Sequence, residues 1–188
     1  MAEHKVADPG PLGLAGFAMT TFCLSSANAG LWGGGGAAAA LSLAVFYGGV
    51  AQILAGMWEF VRKNTFGALA FTSYGSFWLS LWYLIGNGKA FGATPDTTGI
   101  FLLAWTIFTI YMTIAALRTN LALILVFVFL SITFIFLTIG AWGSGNPSWT
   151  VLGGWTGLAT AALAWYASLA GVANETYGKV IFPVGPRA

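Results

Sequence analysis

Six apolar runs constrain this chain more than any other feature. Charges, prolines and glycine clusters mark their ends at residues 12–32, 37–60, 66–85, 100–117, 121–142 and 149–172. Counted from those ends, each run holds between 18 and 24 residues. A helix rises about 1.5 Å per residue, so about 20 residues cover the ~30 Å hydrocarbon core of a bilayer. Each run therefore fits one crossing. Soluble domains carry about a quarter of their residues as charges, whereas this chain has 6%. The expected fold class is an all-α integral membrane protein, a six-transmembrane-helix bundle forming one transmembrane domain over residues 1–188. The longest linker, Gly86 to Gly99, leaves no room for a second domain.

Basic residues set the orientation, because they stay preferentially on the cytoplasmic side. With six crossings, one side collects Lys5, Arg62, Lys63, Arg118, Lys179 and Arg187, and the other only Lys89. Both termini are thus expected to be cytoplasmic, in a multi-pass protein of the cell membrane. Trp32, Trp82, Trp142 and Trp149 fall at the expected outer ends and Trp58 at an inner one, where interface-seeking rings belong. The first apolar run is too long for a signal peptide and lacks a basic leader, so it is read as retained. A net charge of +2 with scattered bases gives no footprint for nucleic acid. The single cysteine, Cys23, makes no internal disulfide and does not report a redox compartment.

The first run is introduced by Asp8-Pro9-Gly10-Pro11-Leu12-Gly13-Leu14. Two prolines two residues apart stiffen the approach, and Pro11 suits a first helical position, where its missing amide hydrogen costs nothing. Asp8 is placed to accept from free amides there and to face the positive end of the helix dipole. Glycines cluster at Gly33 to Gly36, at Gly48, Gly49 and Gly56, and at Gly153, Gly154 and Gly157. Within spans such small residues let helix backbones approach closely.

The ionisable residues exclude several activities. Glu3, Asp8, Glu59, Asp96 and Glu175 all sit at or beyond a span end, and the one histidine, His4, lies in the N-terminal tail. The expectation is that no buried carboxylate or imidazole serves a proton relay. No residue cluster suits haem or another metal, and no mid-membrane lysine suits retinal. Neither enzyme chemistry nor a cofactor is expected.

Neutral polar residues remain, and they fall in stripes. Phe17, Thr21, Ser25 and Asn28 share one face of the first run, and Gly48, Gln52, Gly56 and Glu59 one face of the second. The third run carries Ser73, Ser76 and Ser80 beside Tyr74 and Phe77; the fourth carries Thr106, Thr109 and Thr113. Such hydroxyls either bond to their own backbone and to neighbouring helices, or together line a narrow path of donors without fixed charge. That path suits a small carboxylate, which has a pKa of about 4.3 and is mostly anionic at neutral pH. Weak binding at several places lets a permeant leave again. Taken alone, Phe17 and Tyr74 read as core.

The opening motif resembles that of the acetate uptake transporter family, Asn-Pro-Ala-Pro-Leu-Gly-Leu, with Asp8 in place of Asn and Gly10 in place of Ala. Asp8 adds a negative charge near the mouth. Phe46-Tyr47-Gly48-Gly49-Val50-Ala51-Gln52, Asn64-Thr65-Phe66-Gly67 and Phe71-Thr72-Ser73-Tyr74-Gly75-Ser76-Phe77-Trp78 are similar to the family's second and third helices. Asn174-Glu175, Gly178 and Pro183-Val184-Gly185 resemble its C-terminal end, so the resemblance spans nearly the whole chain.

The resemblance implies a homo-hexamer of six-helix protomers in the lipid bilayer, each with its own pathway for acetate and, in some members, succinate. It also implies a hydrophobic constriction of one phenylalanine, one tyrosine and one leucine, which match Phe17, Tyr74 and Leu130. Ser131 to Phe136 diverges from the family around the leucine. The expected function is a passive or proton-linked conduit for acetate-like carboxylates. Phe17, Tyr74 and Leu130 gate it, and Thr21, Asn28, Gln52 and Ser73 offer donors beside the gate. The competing readings are an acetate-responsive membrane sensor and a conduit for another small solute such as ammonia or urea.

Overall fold

A computed structural model describes residues 6–32, 35–143 and 145–186. Glu3, His4, Lys5, Gly33, Gly34 and Arg187, named above, lie outside the described residues. The fold is helical: α1 (Gly10–Asn28), α2 (Gly36–Val45), a π-helical turn (Phe46–Ala51), α3 (Gln52–Val61), α4 (Thr65–Asn87), a 3-10 turn (Gly88–Phe91), α5 (Pro95–Ala116), α6 (Leu121–Ala141) and α7 (Pro147–Thr176). The only β pairing among the described residues is a single bridge between Asn120 and Pro186.

Short polar side chains start most of these helices. Asn64 accepts from Gly67 N at 3.1 Å, Asn120 from Leu123 N at 3.0 Å and Asn146 from Ser148 N at 3.1 Å. Thr94 and Thr97 form a reciprocal capping box at α5. At α1 the geometry differs from the expectation. The cap position is Pro9, Gly10 opens the helix, and Asp8 Oδ1 takes the Gly10 amide at 2.9 Å from outside it.

α2, the π turn and α3 run on as one apolar rod over Gly36–Val61. The π turn lies where α1 crosses. A Cβ on Gly16 would stand 2.6 Å from Tyr47 O, and one on Gly48 would run into Thr20 Oγ1. A π turn inserts one extra residue per turn, which pushes the Tyr47 carbonyl toward α1, where the glycine leaves space for it. Among the described residues, four helices are long and apolar enough to cross a bilayer: Gly36–Val61, Asp96–Ala116, Leu121–Ala141 and Pro147–Thr176.

α1 packs chiefly on α7, α7 on α6, α6 on α5, and α3 on α4. The α1–α7 seam explains the glycines of the last run. A Cβ on Gly157 would collide with Ser25 Oγ, one on Gly154 with Ala29 N, and one on Gly171 would sit 2.8 Å from Pro11 Cγ. Ser168 Oγ donates to Pro11 O at 2.7 Å. The second proline of the opening motif is thereby wedged on α7. The outer surface is apolar: Phe46, Leu54, Trp58, Ile107, Ile114 and Val172 are each more than half exposed. Soluble monomers rarely expose so much apolar surface.

Candidate functional site: an internal cavity with a polar mouth

The helix ends that meet at one face of the bundle bring together Asp8, Glu59, Asn64, Asn120 and Asn174, which line the mouth of a cavity of about 280 Å³. From this rim the cavity runs inward past Gln52 and becomes apolar, lined by Leu14, Phe127, Phe17, Tyr74 and Leu130. Phe17 lies seven residues beyond the start of α1, and Tyr74 and Leu130 each nine beyond the starts of α4 and α6. At 1.5 Å per residue all three sit about 10 to 14 Å in from the mouth. They are 5%, 3% and 4% exposed, and the Phe17 and Tyr74 rings lie 5.8 Å apart at 56°. The phenylalanine, tyrosine and leucine matched in the sequence therefore converge on one cavity.

The Tyr74 hydroxyl shares a hydrogen bond of 2.9 Å with Thr109 Oγ1. Thr106 pairs with Thr138 at 2.9 Å and Thr113 with Ser131 at 2.8 Å. The threonine stripe of α5 thus binds that helix to α4 and α6, and none of the three lines this cavity. Of the two readings given for such hydroxyls, these bonds follow the first: a hydroxyl with a neighbouring helix in reach uses it as a partner. Ser76 likewise donates to Thr72 O at 2.8 Å.

Of the four donors expected beside the gate, Gln52 lines the cavity, whereas Thr21, Asn28 and Ser73 are not among its lining residues. Gln52 is 1% exposed and follows the π turn directly; its Oε1 has no partner among the described residues. Buried polar groups are nearly always bonded; this oxygen is an acceptor, so a donor such as a water or a protonated acid would complete it, and a carboxylate anion would not. Thr21 Oγ1 is also buried without a partner, one turn beyond Phe17. Within the opening motif, Asp8, Gly10, Pro11 and Leu14 line the cavity, while Pro9, Leu12 and Gly13 do not. Gly13 instead accommodates the Phe71 ring.

Glu59 requires a correction. Its position near a span end suggested solvent, yet it is 2% exposed and its Oε2 accepts from Asn64 Nδ2 at 2.9 Å. A Cβ on Gly67 would stand 2.8 Å from Glu59 Cδ and one on Gly10 3.6 Å from Oε1. Glycine backbone from two other helices packs over the carboxyl, so the last turn of α3 is covered on its inner side. The clue was the stripe Gly48, Gln52, Gly56 and Glu59, whose spacing already puts Glu59 on the same face as Gln52.

Sequence reasoning also missed the C-terminal tail as part of the mouth. Asn174 Oδ1 accepts from Ile181 N and Phe182 N at 2.7 and 2.9 Å, and its Nδ2 donates to Phe182 O at 2.9 Å. Leu121 N donates to Gly185 O and Ala122 N to Val184 O. The tail therefore folds back over the start of α6, supplies acceptors to free helix amides, and places Val184 in the cavity wall.

Outward apolar faces, inward polar groups and a solute-sized internal cavity define a helical membrane protein built around a pocket. The chain belongs to the GPR1/FUN34/yaaH family, which it matches over residues 1–186. It is 39% identical over 188 residues to the succinate-acetate/proton symporter SatP of Escherichia coli, a comparison that covers 98% of each chain. It is 40% identical to acetate permease A of Emericella nidulans, covering 96% of this chain and 66% of that one. The solved structure of the bacterial acetate channel SatP superposes with a TM-score of 0.88 at 40% identity, over 96% of this chain and all of that one.

Proposed function

We propose that this protein conducts acetate and related small carboxylates, succinate included, through the cavity of each protomer, with Phe17, Tyr74 and Leu130 as a hydrophobic gate. One observation carries the reading: those three side chains, drawn from α1, α4 and α6, meet in the wall of one cavity whose other end is polar. The solute enters among Asn64, Asn120 and Asn174, meets Gln52, and sheds water at the apolar ring. The names of the two relatives and of the solved structure support acetate as the solute.

The same reading makes one transmembrane domain of six crossings over residues 1–188, counting α1 and α4 with the four spans named above. Both termini and the polar mouth face the cytoplasm, in keeping with Arg62, Lys63, Arg118 and Lys179 at that end against Lys89 at the other. Protomers assemble as a homo-hexamer. Purified protein in liposomes is expected to pass labelled acetate faster than empty vesicles, and equal rates end the proposal. Acetate binding without flux points to a sensor; suppression by ammonia or urea points to another solute.

A further inference from the structure

The charged pair at the mouth bears on which carboxylates are admitted. Asp8 lines the cavity and Arg62 forms an ion pair with it, their side chains 40% and 34% exposed. Asp8 is further held by the Gly10 amide at 2.9 Å. A Cβ on Gly10 would stand only 3.0 Å from Asp8 Oδ1, so the two departures from the family motif, Asp8 and Gly10, fit one another. A half-exposed pair of this kind adds little to stability. Its larger effect is electrical. With Asp8 present Arg62 has an ion-pair partner at the rim besides the Glu59 carboxyl that lines the same mouth; with a neutral residue at that position one negative charge fewer opposes it.

Resting on the transport reading above, we infer that Asp8 tunes the mouth for monocarboxylates over dicarboxylates by cancelling the field of Arg62. A uniform potential acts on a dianion with twice the energy it exerts on a monoanion, so changing the rim by one charge shifts the two solutes unequally. At a separation of about 8 Å in water-like surroundings, one unit charge changes the local concentration of a monoanion about 2.4-fold and of a dianion about sixfold. Asp8 thus acts on charge state, while the ring of Phe17, Tyr74 and Leu130 acts on bulk and hydration.

The test uses the full chain in liposomes at neutral pH, with labelled acetate as the monoanion and labelled succinate as the dianion. Asp8→Asn, which restores the residue of the family motif, is expected to raise the succinate-to-acetate flux ratio about twofold. Arg62→Gln is expected to lower it by a similar factor, and the double variant to return it near the starting value. Asp8→Glu keeps the charge and the ratio. High salt should flatten all these differences, since a field at an open rim is screened. Two results overturn the inference while acetate transport survives: a ratio unmoved in both single variants, or equal slowing of both solutes that deepens in the double variant, which means the pair only fastens α1 to α3. If the unaltered protein passes neither solute, the transport reading falls and this inference with it.

Discussion

Replacing Phe17 by alanine separates gating from packing. The ring is 5% exposed, stands 5.8 Å from Tyr74 and lines the cavity. In a closed soluble core Phe→Ala costs about 3 to 5 kcal/mol. Here one side of the ring already faces open space, and lipid removes much of the hydrophobic term. What remains is the aromatic pair, about 0.5 to 1.5 kcal/mol, with some lost packing, so the expected loss is about 2 kcal/mol. The effect on flux should be larger. A carboxylate crossing an apolar ring sheds partners that cost several kcal/mol to lose. If an opened ring lets water recover about 1.4 kcal/mol of that, flux rises about tenfold. The assay is labelled acetate uptake into liposomes at matched protein content, beside thermal unfolding and size-exclusion behaviour in detergent. Faster flux with little loss of assembly is the expected result. Unchanged or slower flux from an intact Phe17→Ala protein would refute the gate, and disassembly together with lost flux would return Phe17 to the packing core.

Three further outcomes follow from local geometry. Gly157→Ala drives a methyl into Ser25 Oγ and should cost about 1 to 3 kcal/mol, read as a lower unfolding temperature in detergent; adding Ser25→Ala should recover part of it. Lys63 holds φ at +62° without being glycine, so Lys63→Gly should stabilise by about 1 kcal/mol, and a lowered unfolding temperature would contradict this. Asn174→Ala removes three hydrogen bonds from the tail; limited proteolysis should then cut beyond Lys179 at least tenfold faster, equivalent to about 1.4 kcal/mol of lost protection.

Much of the architecture was legible because a bilayer leaves few choices. Runs of about 20 apolar residues must be helices when no water is present to satisfy the backbone. The resemblance also supplied Phe17, Tyr74 and Leu130 as a set. Spacing alone offered no route to that set, since a helical period says which residues share a face and not which face meets a cavity.

Composition and periodicity thus determined an all-helical membrane chain, the approximate helix boundaries and the faces on which Gln52, Glu59, Phe17 and Tyr74 lie. Tertiary packing alone decided which of those faces meet. It sent the α5 threonines to neighbouring helices instead of the cavity and covered Glu59 with the backbone of Gly10 and Gly67. It joined Asp8 to Arg62 and folded the tail across the start of α6. The physical reason is that sequence periodicity is local to one helix, whereas burial, pairing and enclosure arise from contacts between different helices, as in Asp8 with Arg62 or Pro11 with Ser168.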